Sequence, residues 1–505
     1  MILIIDFGSQ TTHLISRRIG ELGVRSKIVI PEDAIQEIQK TKPKGIIFSG
    51  GPGFVNQDNS PTVDKKVFEF QLPILGICYG QQVIGHLLGG KVTSGKIKEF
   101  GPTTLHIKNS PLFKNIPVEN FKVWMSHGDE VIKLPRGFEY IAHSENIKAG
   151  AIADENKKIY AVQFHPEVQH TQFGMEILKN FLNICEEKSE SLEIDIKGII
   201  TNIKEIVGNK KVVMALSGGT DSFVAATLIV KAVGKQLIPV YVDSGLMREN
   251  ATYNVSVLFP KLFEIRPKII RAQAQFLNAL KNISDPEKKR KTIGKLYVRL
   301  FENIASSQKN VMFLGQGTTY ADFIHSKSTK HAALIKSHHN VGGLPKKMKL
   351  KLLEPIRYFY TDQVRYIGKK LNLPERIIKQ QPFPGPGFAV RILGEVTKEK
   401  LMKVKKADAI VLEEIEKAKL KDDIFQYFAV LTNAKSTAIK GDGRFYGDVI
   451  AVSAYTTKDR MTADWAKIPY DVLQKISARI VNEVPGVSRV VYDITTKPPA
   501  TMEWE

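Results

Sequence analysis

The sequence predicts an α/β protein in which two open, mostly parallel α/β sheets stand in tandem and a smaller α+β domain follows. Three observations support this fold class. With 505 residues, the chain is too long for a single hydrophobic core. Short β-branched runs alternate with helical stretches over residues 1–185, as they do in open α/β sheets. A further apolar run, Val212–Leu216, breaks into a glycine-rich loop and resumes as an apolar helical stretch.

The composition is that of a globular chain without a membrane span. Hydrophobic residues make up 43% and charged residues 25%, and no apolar run approaches the roughly 20 residues that cross a bilayer. The opening stretch Met1–Asp6 enters a strand directly, without the basic region of a secretory signal. We therefore expect a soluble, cytoplasmic protein that does not bind membranes.

The net charge and the cysteine count bear on whether the protein binds nucleic acid, forms disulfides or holds zinc. The net charge of +21 would suit nucleic-acid binding, but the lysines are scattered over amphipathic segments and do not form one tail. We therefore expect solvated faces and phosphate sites, with no nucleic-acid partner. Two cysteines, Cys78 and Cys185, are too few for a disulfide framework, and neither has a nearby cysteine with which to bind zinc.

The first domain, assigned to residues 1–188, carries five strand signals, and three of them end in residues that can do chemistry. The strand signals are Ile2–Ile5, Ser26–Ile30, Gly45–Ser49, Ile74–Cys78 and Tyr160–Phe164. Cys78 ends its strand between Gly76 and Gly80, and a helical stretch follows. This is the arrangement of a nucleophile elbow, which exposes the nucleophile at a helix N-terminus where an anion is favoured. The alternative is a buried structural cysteine, which describes Cys185 better.

A thiol nucleophile needs a base and a group that orients the base. His165 and Glu167, at the end of another predicted strand, offer both. The glycine turn Ser49–Gly53 follows a third strand and is suited to presenting backbone N–H groups to an oxyanion.

Together these residues resemble the class I glutamine amidotransferases, and Trp124–Asp129 matches a further segment of that family. The resemblance implies that Cys78, His165 and Glu167 form the catalytic triad. It also implies that the N–H groups of Gly51 and Tyr79 hold the oxyanion.

The loop after Val212–Leu216 reads Ser217, Gly218, Gly219, Thr220, Asp221, Ser222. Glycines admit a close approach to an anion, and the following helix N-terminus favours a phosphate. An acid inside the loop would repel a polyphosphate unless a divalent cation bridged the two, so Asp221 indicates Mg²⁺. The alternative is an ordinary strand-to-helix turn capped by Ser217 or Asp221.

This loop resembles that of the N-type ATP pyrophosphatases, with Thr220 and Phe223 departing from the usual residues. The resemblance implies that residues 217–222 bind the pyrophosphate of ATP, together with Asp243, Gln316 and Gly317. Asp243 ends the predicted strand Leu237–Asp243, although it could merely cap a turn.

The remaining domain boundaries follow from composition. Glu186–Ile196 is rich in Glu and Ser and separates the first domain from an ATP pyrophosphatase domain, assigned to residues 189–390. A C-terminal domain, assigned to residues 391–505, contains a predicted hairpin turn at Gly441–Arg444. Its last stretch, Val490–Glu505, is predicted as a strand followed by an extended, proline-fixed end, which Trp504 suggests is docked.

Three further segments resemble the glutamine-hydrolysing GMP synthetases: Asp285–Lys291, Ile335–Pro345 and Pro382–Gly387. The resemblance implies the substrates xanthosine 5′-monophosphate (xanthylate), ATP and glutamine, a homodimer formed by the C-terminal domain, and Mg²⁺. The implied xanthylate-binding residues are Lys336, Gly385, Pro386, Gly387, Arg391, Lys497 and Glu503. Departures from the family pattern at Arg271, Ala321 and His325 lie near the implied nucleotide site, where they could alter kinetics or substrate.

Two alternative functions remain open from the sequence. The same ATP loop serves tRNA-modifying adenylylating enzymes, but this chain has no sulfur-carrying cysteine pair. The chain could instead be a basic regulatory protein that binds nucleotides without catalysis, although the triad and loop residues are all present. The sequence therefore favours a synthetase over both.

Overall fold

The computed structural model describes residues 1–9, 11–57, 60–189, 193–320, 350–440, 442–457, 463–497 and 499–505. Lys336, Ala321 and His325 lie outside the described residues. Within the described part, one compact unit comprises Met1–Glu193 and the other begins at Ile194. The division into three domains at residues 188 and 390 stays a prediction.

The described part of the first unit is built on a nine-stranded sheet with the order β2-β1-β3-β4-β9-β8-β7-β5-β6. The strands are β1 Ile2–Ile5, β2 Ser26–Val29, β3 Gly45–Phe48, β4 Ile74–Ile77, β5 Lys91–Ile107, β6 Asn120–Lys133, β7 Glu139–His143, β8 Ala151–Asp154 and β9 Ile159–Val162. Strands β2, β1, β3, β4 and β9 pair in parallel, as the sequence predicts. The remaining pairings are antiparallel, and the sequence analysis did not locate strands β5 to β8.

Helices cover both faces of this sheet. They are α1 Thr12–Glu21, α2 Ala34–Thr41, α3 Tyr79–Leu87 and α4 Gly174–Ile184. Ile2 and Ile4 belong to one hydrophobic cluster, and Leu3 and Ile5 belong to another. Because successive strand side chains point to opposite faces, β1 is buried on both sides. Because strands β2, β1, β3, β4 and β9 run parallel, their carboxyl ends lie side by side at one end of the sheet.

The second unit contains a five-stranded sheet with the order β12-β11-β10-β13-β14, paired in parallel throughout. Its strands are β10 Lys211–Ala215, β11 Leu237–Asp243, β12 Lys268–Arg271, β13 Val311–Gly315 and β14 Lys351–Leu353. Its helices are α5 Ile196–Val207, α6 Thr220–Val233, α7 Glu249–Tyr253, α8 Phe259–Phe263, α9 Gln273–Leu280, α10 Pro286–Ser306, α11 Thr361–Lys370 and α12 Glu375–Ile378. Arg271 is the last residue of β12, which lies at one edge of this sheet, and it is exposed to solvent.

The last part of the second unit is a small α+β structure. Strands β15 Gln426–Lys440 and β16 Gly443–Thr456 form the predicted antiparallel hairpin, β17 Asp464–Trp465 extends it, and β18 Val487–Asp493 pairs in parallel with β16. Helices α13 Lys398–Lys417 and α14 Tyr470–Glu483 pack against this sheet. The predicted fold class is thus confirmed in all three parts. Within the described residues no helix is long and apolar enough to cross a membrane.

Candidate active sites

Cys78 occupies a strained turn between β4 and α3. Its backbone has φ 52° and ψ −106°, in the positive-φ region that non-glycine residues rarely adopt, and Cys78 is the N-cap residue of α3. A Cβ atom on Gly80 would lie 2.5 Å from the carbonyl oxygen of Phe48, and one on Gly76 would lie 2.8 Å from the Gly80 carbonyl. Both flanking glycines are therefore required by close packing. The turn has the geometry of a nucleophile elbow with a cysteine at its apex.

His165 and Glu167 lie beside this cysteine and are buried with it. The His165 Nδ1 atom is 2.8 Å from Glu167 Oε1, and Glu167 is 0% exposed. Burial by itself disfavours a charged imidazole, but the Glu167 carboxylate and the Cys78 side chain outweigh it, so the pKa of His165 is raised well above its ordinary value. The structure thus brings together the nucleophile, base and orienting acid that the sequence predicts.

The segment that carries His165 is fixed by hydrogen bonds that the sequence analysis did not foresee. The His165 N–H donates to the Trp124 carbonyl at 3.1 Å, and the Thr171 hydroxyl donates to the His165 carbonyl at 2.6 Å. The Trp124 N–H donates to the Thr171 hydroxyl at 3.0 Å, and Arg18 Nε donates to the Glu167 carbonyl at 2.9 Å. These bonds hold the base against β6 and α1.

The glycine turn Ser49–Gly53 lies against Tyr79, the residue after Cys78, and against His165. A Cβ on Gly51 would be 3.0 Å from the Tyr79 ring, and one on Gly50 would be 3.3 Å from Cε1 of His165. The turn is therefore near both the cysteine loop and the imidazole. The donation of the Gly51 and Tyr79 N–H groups to an oxyanion stays a prediction.

The sequence did not predict a buried polar pair, Glu99 and His127, which lies near Cys78. His127 Nε2 lies 3.0 Å from Glu99 Oε2, and His127 Nδ1 lies 3.1 Å from the Asp129 carbonyl. Burial raises the pKa of Glu99, but hydrogen bonds from His127 and two further side chains outweigh this and lower it. The Cys78 sulfur is 3.6 Å from the carbonyl of Ser126, the residue before His127. The pair therefore anchors the strand that borders the nucleophile.

Replacing Glu167 with Gln should weaken glutamine hydrolysis by about tenfold and change its pH dependence. The substitution removes the carboxylate charge that raises the pKa of His165, so that pKa falls. The protonated imidazole is then lost at a lower pH, and the alkaline limb of kcat/KM for glutamine shifts towards lower pH. The measurement is the pH profile of glutamine hydrolysis, with the unfolding temperature of the variant as the folding control. A profile that superimposes on the parent's would contradict the role of Glu167.

The second unit contains a cavity of about 400 Å³ at the carboxyl edge of its parallel sheet. This volume lies within the range of roughly 300–1,000 Å³ that is usual for ligand pockets. Its wall includes these predicted residues: Ser217, Gly218, Gly219, Thr220, Asp221, Ser222, Gln316, Gly317, Gly385, Pro386, Lys497 and Glu503. Residues separated by almost 300 positions thus meet at one site.

The loop Ser217–Ser222 has the geometry of an anion seat. Gly219 is the N-cap residue of α6 and has no side chain with which to cap the helix, while its own N–H donates to the Ser217 hydroxyl at 3.3 Å. The N–H groups of the first turn of α6, which find no partner within the helix, are suited to bind an anion. Gly218 has φ 80°, and a Cβ on it would lie 2.7 Å from Cα of Ala251. Its backbone needs glycine for both reasons.

Neighbouring elements brace this loop. The Thr220 hydroxyl donates to the Ile377 carbonyl in α12 at 2.6 Å, and Asn254 Nδ2 donates to the Gly218 carbonyl at 3.1 Å. A Cβ on Gly317 would come within 2.7 Å of the Ser222 nitrogen. The segment that follows β13 therefore packs directly against the start of α6.

Asp221 and Asp243 have different surroundings. Asp221 lies in the first turn of α6 and lines the cavity. Asp243 is not part of the lining, and its carboxylate accepts hydrogen bonds from the Gly245 N–H at 3.1 Å and from Gln273 Nε2 at 2.9 Å. Asp243 therefore caps the turn after β11, and its contact with ATP stays a prediction.

The donor set at Asp221 suits a metal that arrives with phosphate. In the described part of the chain, no group of three His, Cys, Asp or Glu side chains is placed to hold a metal ion by itself. Mg²⁺ commonly uses one or two carboxylates and completes its shell with water and substrate phosphates. Asp221 at a phosphate loop fits that pattern.

Arg391 is placed differently from the other implied xanthylate residues. It is 0% exposed, and its guanidinium binds the Glu503 carboxylate through two hydrogen bonds of 3.0 Å. It also lies 4.7 Å and 4.0 Å from the ring centroids of Phe383 and Phe428. Arg391 thus lies behind the cavity wall, where it holds Glu503. Gly387 also lies just outside the lining, with φ 67° and no room for a Cβ.

Cations at the cavity were identified only in part from the sequence. Arg290 and Lys291 belong to the segment Asp285–Lys291, but their placement in the wall was not predicted. Arg248 and Arg365 also line the cavity and carried no sequence signal. Arg248 makes a bidentate pair with Asp408, at 2.7 and 3.0 Å. The described wall carries five cations against three acids, Asp221, Glu287 and Glu503, which is a modest excess of positive charge at a site proposed for phosphates.

Three family models match the chain in succession: "Glutamine amidotransferase class-I" over residues 3–185, "NAD synthase" over 192–310 and "GMP synthase C terminal domain" over 413–504. Fold and sites thus define a ligase that couples a glutamine amidotransferase to the use of ATP. The chain is 49% identical over 508 residues to the GMP synthase (glutamine-hydrolyzing) of Clostridium tetani, covering 100% of this chain and 99% of that one. The corresponding protein of Clostridium perfringens is 48% identical over 508 residues, with the same coverage. The chain belongs to the family of glutamine-hydrolysing GMP synthases.

Proposed function

We propose that the chain converts xanthylate to GMP in an ATP-dependent amination that uses ammonia from glutamine. The observation that carries this function is the cavity of the second unit, where the phosphate loop Ser217–Ser222 faces Gly385, Pro386 and the C-terminal residues Lys497 and Glu503. A separate Cys78 triad in the first unit accounts for the release of ammonia. Both halves of the reaction thus have a candidate site.

The first half is acyl transfer from glutamine. The Cys78 sulfur attacks the side-chain amide carbon, and the N–H groups of Gly51 and Tyr79 stabilise the oxyanion. His165 donates a proton to the departing nitrogen, so that ammonia leaves and a thioester forms. Water then attacks the thioester with His165 as base, which releases glutamate and restores the thiol. Glu167 orients the imidazole throughout.

The second half is adenylylation followed by displacement. The C2 oxygen of xanthylate attacks the α-phosphorus of ATP, and pyrophosphate leaves into the loop Ser217–Ser222. Asp221 would hold Mg²⁺, which offsets the charge of the leaving pyrophosphate. Ammonia adds at C2, and AMP departs with the former xanthylate oxygen. The adenylyl group is needed because a purine carbonyl oxygen is a poor leaving group.

Xanthylate itself is assigned to the side of the cavity formed by the C-terminal residues. Lys497 supplies a cation for the 5′-phosphate, and Gly385 and Pro386 supply a turn that a flat ring can approach. Glu503, fixed by Arg391, presents a carboxylate to the ribose or base. Lys336 completes the proposed set but lies outside the described residues.

We also propose a cytoplasmic homodimer that forms through the C-terminal α+β structure. Large side chains on neighbouring strands are exposed there, namely Ile439 at 76%, Tyr446 at 67% and Val491 at 42%. Exposed apolar side chains gathered on one sheet are typical of protein interfaces.

The substrate assignment is tested by pyrophosphate release from ATP and Mg²⁺ with ammonium as nitrogen source. We expect release that depends on xanthylate and yields one GMP for each pyrophosphate. Release that requires tRNA and ignores xanthylate would favour a tRNA-modifying enzyme. Nucleotide binding without turnover would favour a regulatory protein. Either outcome would contradict the proposed function.

Deleting Thr501 to Glu505 should raise KM for xanthylate at least about tenfold, which corresponds to ~1.4 kcal/mol of lost binding. The segment is docked: Trp504 Nε1 donates to Ser453 Oγ at 2.9 Å and to Asp493 at 3.1 Å. The deletion also removes Glu503 from the cavity wall. Glutamine hydrolysis should persist, since Cys78 belongs to the first unit. An unchanged xanthylate dependence would remove the tail from the active site.

A further inference from the structure

Lys289, in the first turn of α10, is a fully buried cation with three partners. Its Nζ atom donates to the Ala389 carbonyl at 3.3 Å and to the Ile392 carbonyl at 2.7 Å. It also forms an ion pair with the Glu505 carboxylate, in which the two side chains are 0% and 6% exposed. The backbone oxygen of Glu505 in turn accepts a hydrogen bond from Arg290. The first turn of α10 thus binds Glu505 through both its side chain and its backbone.

This ion pair is connected to the cavity through the backbone. Lys289 holds the carbonyl of Ala389, which lies in the same short turn as Arg391. Arg391 in turn fixes Glu503, two residues before Glu505. Glu505 has a further backbone partner near this turn, because the Gly394 N–H donates to its Oε1 atom at 3.2 Å. The same lysine therefore fixes both the tail and the turn on which Glu503 rests.

Polar contacts are the main support of the tail. Each described residue from Ile494 to Glu505 keeps part of its surface exposed to solvent. Among these residues, only Met502 packs partly against a hydrophobic cluster. Hydrophobic burial therefore contributes little to its docking. A buried carboxylate without its partner is strongly unfavourable, so loss of Lys289 or of the Glu505 charge should release the segment.

We propose that Lys289 and Glu505 form a latch that holds the C-terminal segment against the nucleotide cavity and so positions Glu503 for xanthylate. Both are positioning residues, because neither belongs to the cavity lining. This inference rests on the proposed function, in which the cavity binds xanthylate next to Glu503. It adds two residues of the second unit, 216 positions apart in sequence, to the determinants of xanthylate affinity.

The test is steady-state kinetics of Lys289→Met, Glu505→Gln and the double variant Lys289→Met/Glu505→Leu, with ammonium as nitrogen source. Each single variant should raise KM for xanthylate about tenfold and change kcat less than about twofold. The double variant should recover part of that loss, because it removes both buried charges together. Lys295→Met is the matched control, since Lys295 is exposed on the same helix and should keep the parental KM.

Several outcomes would overturn the latch. Parental KM in a folded Glu505→Gln variant would do so, as would a lower unfolding temperature with unchanged KM, which marks a purely structural pair. If Lys289→Met fails to fold, Glu505→Gln decides alone. Hydrogen exchange of residues 499–505 should rise in Glu505→Gln, and unchanged exchange would also count against the latch. A parent enzyme without xanthylate-dependent turnover would instead contradict the proposed function.

Discussion

Replacing Cys78 with Ala should abolish glutamine-dependent GMP formation and leave ammonium-dependent formation largely intact. In the proposed mechanism the thiol is the nucleophile that releases ammonia, whereas the cavity of the second unit needs only ammonia, whatever its source. The measurement is GMP formation by the same preparation with glutamine and with an ammonium salt. The ratio of the two rates should fall by more than about a hundredfold.

Cys185→Ala provides the matched control for this experiment. Cys185 is also buried, and burial raises the pKa of its thiol to about 12, so it stays protonated and inert. A Cβ on Gly45 would lie 2.3 Å from its sulfur, which places Cys185 in a packed core. The control should lower the unfolding temperature and keep both activities at 25 °C. Loss of both activities in a folded Cys78→Ala protein would contradict two separate sites.

Replacing Asp221 with Asn should lower pyrophosphate release about a hundredfold or more with either nitrogen source. The substitution keeps the size of the side chain but removes the charge that would hold Mg²⁺ at the phosphate loop. The measurement is xanthylate-dependent pyrophosphate release over a range of Mg²⁺ concentrations. Glutamine hydrolysis by the same protein reports whether the first unit is folded.

Asp243→Asn is the control, because its carboxylate is already engaged by Gly245 and Gln273 and does not line the cavity. We expect it to lose far less activity than Asp221→Asn. Near-normal release by Asp221→Asn at saturating Mg²⁺ would show that Asp221 only begins a helix. A larger loss in Asp243→Asn would reverse the two roles.

The sequence predicted those features that depend on neighbours along the chain. The elbow at Cys78 was predictable because Gly76 and Gly80 leave a local pattern, and the structure shows that a Cβ at either glycine would collide with backbone. The loop Ser217–Ser222 was predictable for the same reason. Parallel strands such as β1 and β4 were found because both of their faces are apolar.

Contacts between distant residues that belong to no recognised motif were not predictable. Lys289 and Glu505 are 216 residues apart, and Glu99 and His127 are 28 apart on paired strands whose register shifts between Ser94 and Glu99. A sequence pattern carries no signal for such pairing. The burial of Arg391 was missed for a related reason, since only the folded tail supplies its partner Glu503, 112 residues away. Strands β5 to β8, which pair antiparallel, lacked the continuous β-branched runs by which the parallel strands were recognised.

An adenylylated intermediate distinguishes the proposed mechanism from direct amination, and an isotope experiment detects it. Xanthylate labelled with ¹⁸O at C2 is converted with ATP and ammonium, and the products are analysed by mass spectrometry. If the C2 oxygen attacks the α-phosphorus of ATP, one ¹⁸O atom appears in each AMP and none appears in pyrophosphate. Label in pyrophosphate or inorganic phosphate, or release of the oxygen as water, would contradict the proposed mechanism.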